Sequence, residues 1–363
     1  MTKTIIIFGG ARDFHAVDWY RVIKLLLKDN EVRFLTDNIA GEGMPNLLNK
    51  YENFDKLFII DPFLLKSQSL FCNLWRNFLK LILIPFQVLK LRLYLKSIPN
   101  PIVHAHPMYY MLLCSLAGAD YIGTPQGSEL LLRCKRSFFY RLISKTVLLG
   151  AKCVTVDSHQ MADAVKLYSG RKALLVQNGI DTTLIEKYRS KSCKRNLITS
   201  IRGVTHLYRI KEILKTRNQK NPDISINFVY PFHDNVYLSN MKNYSINLDI
   251  FFGRLEKQKY YKLLSETMLV ISIPKSDSSP RSVYEAIFIG CFVATTYNKW
   301  IDTLTPSMKK RVLIVDLSNP NWLNESIKTA KKNIHIRYIP DKESVQQYDQ
   351  FKSLSRVTDI LYQ

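Results

Sequence analysis

Short runs of apolar residues alternate with longer segments whose apolar residues recur at helical spacing, and this alternation limits the fold more than any other feature of the chain. Helical patterns such as AVDWYRVIKLLLKD (16–29) separate the runs. Strands that alternate with helices pair in parallel and are covered on both faces, so the sequence predicts an α/β fold with a doubly wound sheet. The apolar runs of the first half are TIIIFGG (4–10), EVRFLTD (31–37), KLFIID (56–61), PIVHAH (101–106), YIGTP (121–125) and KCVTVDS (152–158).

The alternation restarts in the second half, which predicts a second doubly wound domain. Between the halves lies RSKSCKRN (189–196), a short, polar and basic stretch typical of a domain boundary. We predict one domain over residues 1–180, a second over 181–342, and a final amphipathic helix in the segment 343–363. The apolar runs of the second half are NLITSIR (196–202), SINFVY (225–230), LDIFFG (248–253), MLVISIP (268–274), CFVATT (291–296) and RVLIVDL (311–317).

The formal net charge of +22 indicates an anionic partner, although lysines on solvated faces account for part of it. No motif typical of nucleic-acid recognition is present, so a nucleic-acid partner is not expected. Six scattered cysteines without a CxxC pair, and seven dispersed histidines, predict reduced thiols and no metal site. No apolar stretch reaches the ~18–20 residues that cross a bilayer, and the start is too short for a signal, so we expect a cytoplasmic protein.

One segment, NLWRNFLKLILIPFQVLKLRLYLK (73–96), is apolar on much of its surface and carries five lysines and arginines. It is either an ordinary helix packed on the sheet with its cations reaching outward, or a basic amphipathic surface that rests on an anionic membrane. Pro85 is expected to kink or break the helix, because proline lacks the N–H that a helix interior needs.

The stretch SDSSPRSVYEAIFIGC (276–291) places two carboxylates, Asp277 and Glu285, on either side of a predicted helix start. Pro280 is favoured in a first turn, and the serines before it are natural N-caps. A helix N-terminus offers free N–H groups and a positive dipole, which suit an anion. A sugar nucleotide fits there, with its phosphates on the amides of residues 279–282, its ribose on Glu285 and its sugar on Asp277. Glu285 could instead cap local backbone, and Asp277 could simply complement the helix dipole.

The loop GGARDFHAVDWYR (9–21) follows the first strand, where a doubly wound sheet binds its ligands. Its glycines allow close backbone approach, and Gly10 is a candidate for ligand contact. The loop lacks G-x-G-x-x-G, so no nicotinamide cofactor is expected. Its acid–base candidates are Arg12, Asp13, His15 and Asp18.

Four segments, in chain order, resemble one family. They are HAHP (104–107), TPQGSE (124–129), VTVDSHQMADAVKLYSGRKALLVQNGIDTTLI (154–185) and the carboxylate pair with EAIFIGCFVATT (285–296). Together they resemble the retaining GT-B glycosyltransferases of the sucrose-synthase-like and glycogen-synthase-like superfamily, glycosyltransferase family 4 type.

The resemblance implies two Rossmann-like domains facing across a cleft, with the C-terminal helix crossing back to the first. It implies metal-independent transfer of a sugar from a nucleotide-sugar donor, which is UDP-linked by default but could be GDP- or CMP-linked. The acceptor would be a glycan or a lipid-linked glycan of a bacterial surface polysaccharide, and the enzyme would lie in the cytoplasm or on the inner face of the cell membrane.

The resemblance also assigns site residues. Arg202 matches the arginine that binds the donor diphosphate, but Leu207 stands where a lysine is expected, and His206 or Arg209 would have to replace it. The predicted donor-binding residues are Glu285, Arg202, Arg281, Ser279, Ser282 and Gly10. The predicted catalytic residues are Asp277, Glu129, His106 and Asp18, with Asp13, Asp18 and Glu129 as bases if the reaction inverts.

Departures from the family pattern leave further functions open. Arg281 could meet the carboxylate of a nonulosonic acid on a CMP donor, and the loop that usually offers a histidine to the sugar offers Gln126. The sequence is also compatible with a sugar-nucleotide epimerase of the same fold and with an inactive GT-B subunit.

Overall fold

The computed structural model describes residues 3–40, 46–49, 52, 54–65, 71–189 and 195–362. The chain divides into two compact units, Met1–Asn178 with Ser353–Gln363 and Gly179–Lys352. The divisions predicted from the sequence lay after residues 180 and 342. Residues 190–194 of the predicted boundary stretch lie outside the described residues.

The first unit contains a seven-stranded parallel sheet in the order β3-β2-β1-β4-β5-β6-β7. Its strands are β1 Thr4–Phe8, β2 Glu31–Thr36, β3 Phe54–Lys56, β4 Pro101–Ala105, β5 Tyr121–Gly123, β6 Cys153–Val156 and β7 Leu174–Leu175. Its helices are α1 Phe14–Leu26, α2 Cys72–Lys96, α3 Met108–Ala117, α4 Cys134–Arg136, α5 Phe138–Gly150 and α6 His159–Ser169, with one 3-10 turn at Asp61–Phe63 and a π-helical turn at Glu129–Arg133.

The second unit contains a six-stranded parallel sheet in the order β10-β9-β8-β11-β12-β13. Its strands are β8 Leu197–Ser200, β9 Asn227–Val229, β10 Ile250–Gly253, β11 Thr267–Ile271, β12 Phe292–Thr295 and β13 Val312–Ile314. Its helices are α7 Thr182–Tyr188, α8 Ile210–Lys220, α9 Asn235–Lys242, α10 Lys257–Glu266, α11 Arg281–Ile289, α12 Pro306–Lys309, α13 Trp322–Lys332 and α14 Lys342–Tyr348, with 3-10 turns at His206–Tyr208 and Lys299–Thr303. The last helix, α15 Gln350–Tyr362, begins in this unit and continues into the first.

Strand β1, in the middle of the first sheet, alternates between two apolar cores, as a sheet covered on both faces requires. In β1, Ile5 and Ile7 belong to one core, whereas Ile6 and Phe8 belong to the other. The end of α15, with Leu354 among its core residues, packs on the Ile5 side. The predicted α/β doubly wound fold is therefore confirmed, including the C-terminal helix that returns to the first unit.

The predicted strands match the observed ones, with two differences. The run KLFIID (56–61) was wrong as a strand, because the strand there, β3, ends at Lys56 and the chain then turns into the 3-10 helix at Asp61–Phe63. Strand β7 was missed, since two residues are too few to give an alternating pattern.

Pro85 does not break helix α2, which runs without interruption from Cys72 to Lys96. The proline is exposed, so water can bind the carbonyl that lacks its usual N–H partner one turn earlier. Among the described helices, none is both long and apolar enough to cross a membrane.

The C-terminal segment forms two helices, so the expectation of a single helix there was wrong. Asp349 separates them with extended backbone (φ −70°, ψ 126°), and its carboxylate accepts the Lys352 N–H at 2.9 Å. The flanking backbone pairs with Ile180, whose N–H donates to the Tyr348 carbonyl at 2.7 Å and whose carbonyl accepts the Gln350 N–H at 2.9 Å. These bonds compensate for the interrupted helix.

The tetrapeptide from Asn178 to Asp181 has a structural role. Gly179 has φ +60°, and a Cβ at this position would lie 2.4 Å from the Gln350 Cα, so only glycine fits without strain. Asp181 caps α7 by accepting the Leu184 N–H at 2.8 Å.

Candidate functional site

The second sheet reverses its strand order between β8 and β11, because β9 lies beyond β8 and β12 lies beyond β11. In doubly wound sheets the crevice at such a switch point, at the carboxyl ends of the strands, is where ligands bind. Arg202 follows β8 and Asp277 follows β11. The fold therefore brings together two residues that are far apart in the sequence.

Arg202 and Asp277 form an ion pair, and their side chains are only 12% and 13% exposed. Another guanidinium nitrogen of Arg202, Nη1, donates to the Ser282 hydroxyl at 2.9 Å. The guanidinium also lies over the Tyr208 ring, 4.7 Å from its centroid. Its Nε is buried and has no hydrogen-bond partner among the described residues. The arginine thus retains its Nε donor for a further acceptor.

Burial and ion pairing shift the pKa values of Arg202 and Asp277 in opposite directions. Burial disfavours the charge on Arg202, but Asp277, Tyr208 and Tyr260 together outweigh it, so the pKa of the guanidinium is raised. Burial raises the pKa of the Asp277 carboxyl, and Arg202 opposes part of that rise. The pair is a buried charge system whose stability depends on each partner.

Helix α11 begins at Arg281, four residues after Asp277, and Ser282 in its first turn contacts Arg202. Pro280 is its N-cap and no side chain caps it, so the prediction of a serine cap was wrong. The loop is held instead by the Asp277 N–H, which donates to Asn298 Oδ1 at 3.0 Å. Arg281 is the first helical residue, and Ser279 precedes the proline; both are partly buried.

Glu285 lies in α11 and is 7% exposed. Its Oε1 accepts the Tyr261 hydroxyl at 2.8 Å and lies 3.6 Å from Lys257 Nζ. The adjacent Tyr260 has a buried hydroxyl without a partner among the described residues. Burial raises the pKa of Tyr260, the Glu285 charge adds to that rise, and Arg202 opposes it.

The residues considered as replacements for the missing lysine have other contacts. Arg209 donates to the carbonyls of Ile273 and Pro274 at 3.3 and 3.1 Å. The His206 ring packs against that of Tyr237, with centroids 4.2 Å apart. The cation that the structure places beside Glu285 is Lys257, on α10.

The first sheet has its own switch point between β1 and β4. Here the loop with Gly9 meets the end of β4, and a Cβ on Gly9 would lie 3.0 Å from the His106 carbonyl oxygen. His106 is 2% exposed, and its Nε2 has no hydrogen-bond partner among the described residues. Burial, assisted by the charge of His15, lowers the pKa of His106 to about 3, so the ring is neutral at physiological pH.

The carboxylates of the first unit have mainly structural bonds. Glu129 is 5% exposed and accepts the N–H groups of Gln126 and Met108 at 2.8 and 3.1 Å. Burial raises the pKa of Glu129, and these two N–H groups oppose the rise. Asp13 caps α1 and accepts the Gln126 amide at 2.9 Å. Asp18 is a partly buried residue of α1.

Gly10 also lies in this loop, with its carbonyl accepting the Asp13 N–H at 2.9 Å. A Cβ at Gly10 would be 3.4 Å from the Tyr110 hydroxyl, which is ordinary contact. Sterically, the site therefore requires glycine at position 9 more than at position 10.

Sequence reasoning missed the aromatic and basic side chains that surround Arg202 and Glu285, namely Tyr208, Lys257, Tyr260 and Tyr261. A signal was present, since Lys257 starts the helix after β10 and so lies at the carboxyl edge of the sheet. Among the described residues, no group of three or more His, Cys, Asp or Glu side chains is placed to hold a metal ion. The described cysteines 114, 134, 153 and 291 are free thiols.

No established family profile matches the chain, and no curated protein sequence matches it. Solved structures do. Sucrose-phosphate synthase from Thermosynechococcus elongatus is 13% identical over 100% of this chain and 98% of that one, with a TM-score of 0.75. Anabaena HepE, solved with UDP-glucose, is 12% identical over 99% of both chains, with a TM-score of 0.71.

A third similar structure is the UDP-forming α,α-trehalose-phosphate synthase of Burkholderia vietnamiensis, 10% identical over 99% of this chain and 98% of that one, with a TM-score of 0.70. At these identities the likeness shows the fold. The GT-B fold predicted from the sequence motifs is confirmed.

Proposed function

We propose that this protein is a glycosyltransferase that moves a sugar from a nucleotide-sugar donor to a glycan or lipid-linked acceptor during bacterial surface polysaccharide synthesis. The observation that carries the proposal is the Arg202 guanidinium at the switch point of the second sheet, with a buried Nε that lacks a partner among the described residues. Phosphate oxygens accept such donors strongly. HepE, which shares the fold, was solved with UDP and with UDP-glucose, and this supports UDP as the default nucleotide.

In this proposal the donor phosphates displace Asp277 from Arg202. The charge of the arginine then stabilises the leaving diphosphate, and the freed Asp277 carboxylate accepts hydroxyls of the sugar. The N–H groups of Ser279 and Ser282, on either side of the N-cap Pro280, assist the phosphates. No metal takes part, because Arg202 and the helix dipole would supply the positive charge.

Glu285 would bind the ribose hydroxyls. It is positioned for this by Tyr261, which donates to it, and by Lys257, which lies 3.6 Å away. A charged acceptor paired with a hydroxyl contributes about 1.5–3 kcal/mol to binding. Roles for His106, Glu129 and Asp18 in acceptor chemistry remain predictions, and we place the enzyme in the cytoplasm at the inner face of the cell membrane.

An inactive subunit of the same fold is the second candidate, since Leu207 occupies the lysine position and both His206 and Arg209 contact other groups. Such a protein would bind a donor without turning it over. A GDP donor, or a CMP donor whose acid sugar meets Arg281, would replace UDP if the nucleotide assignment is wrong.

The test is a thermal-shift panel with UDP, GDP, CMP and their sugars, followed by transfer assays with and without acceptor. One nucleotide series should raise Tm, with stabilisation approaching ~2.7 kcal/mol at a hundredfold excess over Kd. Glu285→Gln should weaken donor binding ~10- to 150-fold, the equivalent of one lost charged hydrogen bond. The control is Glu343→Gln, an exposed glutamate of the same unit.

The outcomes separate the candidate functions. If no nucleotide stabilises the protein, the proposal is wrong. Binding without turnover identifies the inactive subunit, and a new product from donor alone identifies an epimerase.

A further inference from the structure

Two helices of the first unit, α2 and α5, each expose a row of large apolar side chains. On α2 these side chains recur every one to four residues and are each at least 50% exposed. They are Leu74, Phe78, Leu81, Ile82, Phe86, Leu89 and Leu93. On α5 they are Phe138, Phe139, Leu142, Ile143 and Leu149, with Phe138 and Phe139 70% and 76% exposed.

The exposed row of α2 is fixed by contacts on its opposite face. Leu91 is fully buried there, and the buried Gln87 amide donates to Asp37 Oδ2 at 3.0 Å. Arg92 donates to the carbonyls of Leu116 and Ala117 at 2.8 and 3.0 Å, which ties α2 to the end of α3. A helix held by these bonds cannot rotate to bury its outer row, so the apolar surface is a built feature of the unit.

Helix α5 is held in the same way against the same core. Its Val147 and Leu148 are fully buried and belong to the core that contains Leu91 of α2. Helix α3 packs against both helices. The outer rows of α2 and α5 therefore lie on the outside of one face of the sheet.

The charge around these rows is almost entirely positive. Residues 62–156 contain twelve lysines and arginines but two acidic residues, Asp120 and the buried Glu129. Exposed cations flank both apolar rows. They are Lys90 and Lys96 on α2, and Lys135, Arg136, Arg141 and Lys145 on or beside α5.

We propose that α2 and α5 together form a surface that docks on an anionic lipid bilayer. Apolar rows that cannot span a membrane but carry flanking cations insert at the boundary of headgroups and acyl chains, with the cations on the anionic headgroups. An aqueous anion such as a nucleic acid would match the cations but leave the exposed phenylalanines and leucines uncovered. This inference deepens the proposed function, because the surface would hold the enzyme where a lipid-linked acceptor lies. Only that link to the acceptor rests on the proposed function.

The test is co-sedimentation of the full chain with phosphatidylcholine vesicles, with or without phosphatidylglycerol, at low and high salt. We expect binding to the anionic vesicles that weakens with salt, since screening shortens electrostatic reach from about 10 Å at 0.1 M to about 3 Å at 1 M. Leu89→Glu and Phe139→Glu should each weaken binding by about tenfold or more, because each places a like charge and a polar group at the lipid boundary. Both positions are exposed, so the fold should persist.

The matched control is Leu167→Glu on α6, whose leucine is 76% exposed in the same unit but outside both rows. It should bind vesicles as the wild type does. If Leu89→Glu alone weakens binding, α5 is not part of the surface. Equal binding to neutral and anionic vesicles, binding to neither, or a dimer that both substitutions dissolve would overturn the proposal. Nucleotide thermal shifts of the same variants keep this result separate from the proposed transferase function.

Discussion

The two sheets reverse their strand order in the same way at their switch points, but the side chains that lie there differ in charge and in bonding. In the second unit, Arg202 and Asp277 are paired with each other and remain about one-eighth exposed. In the first unit, His106 and Glu129 are 2% and 5% exposed, and Glu129 is bonded to backbone N–H groups. The same crevice geometry therefore holds exchangeable charges in one unit and a neutral or structurally bonded set in the other.

The difference between the two switch points follows from the hydrogen-bond donors that each carboxylate would leave unpaired if it moved away. Asp277 can give up Arg202 if another anion takes its place, because the arginine stays paired. Glu129 cannot leave without stranding the buried Met108 N–H, at a cost of about 1–3 kcal/mol, and the partly buried Gln126 N–H. Ligand exchange is therefore easier at the second switch point, whereas the first is better suited to holding the fold.

Arg202→Ala should show the largest effect. Removing one preorganised donor to a developing charge costs on the order of 2–4 kcal/mol of transition-state stabilisation, so transfer should fall by more than donor binding weakens. Turnover and donor affinity should be measured together, beside Arg337→Ala, an exposed arginine of the same unit. Unchanged turnover and affinity would place the phosphate site elsewhere and remove the contrast between the two switch points.

The pH dependence of stability tests the first switch point. Burial lowers the pKa of His106 to about 3 in the folded state, against about 6.5 in the unfolded chain. Between these pH values the unfolded chain therefore binds more protons than the folded protein. The contribution of His106 to the free energy of unfolding is fully present above pH 6.5 and is lost as the pH falls toward 3. His104, whose pKa burial also lowers, acts in the same sense.

Glu129 and Asp277 act in the opposite sense, because burial raises the pKa of each carboxyl and their contribution is lost as the pH rises. The His106 contribution is isolated by comparing wild type with His106→Gln in urea unfolding at pH 7 and pH 5. The variant should lose roughly 1–2 kcal/mol less stability than wild type over this interval. His335→Gln, at an exposed position of the second unit, should follow the wild type. Identical slopes for wild type and His106→Gln would show that the ring titrates normally.

Much of the fold was predictable, and the exceptions have local causes. Long apolar runs such as TIIIFGG give the position of a strand, since their residues must reach two cores, and the helices between the runs predict that the strands are parallel. The break at Asp349 was not predictable, because its helical neighbours favour continuation and the bonds that interrupt them go to Ile180, far away in sequence.

For the site, the sequence predicted Arg202, Asp277 and Glu285 as ligand-binding residues, and the structure brings the first two together as an ion pair. Local motifs do not show which side chains approach from other elements, so Tyr261 and Lys257 of α10 were missed, although the position of Lys257 after β10 was a signal for it. The same limit applies to Glu129, whose bond to the Met108 N–H depends on how the strands are ordered rather than on the residues near it.

Substitution of Ser282 should have the smallest effect on transfer, and it tests which groups at the second switch point bind the donor. Its hydroxyl accepts Arg202 Nη1 at 2.9 Å, so its clearest role is to orient the arginine. Ser282→Ala removes one hydrogen bond at a partly exposed position, where water can take the place of the serine hydroxyl, and transfer should fall by about 0.5–1.5 kcal/mol, or roughly 2- to 13-fold. If Ser282 acts only through Arg202, the double variant with Arg202→Ala should be no slower than Arg202→Ala alone, which gives a coupling energy equal to the whole Ser282 effect. If the serine binds the donor independently, the two losses should add. Additive losses would assign Ser282 its own phosphate contact, as the sequence motif predicted, and would enlarge the set of exchangeable groups at the second switch point beyond the Arg202–Asp277 pair.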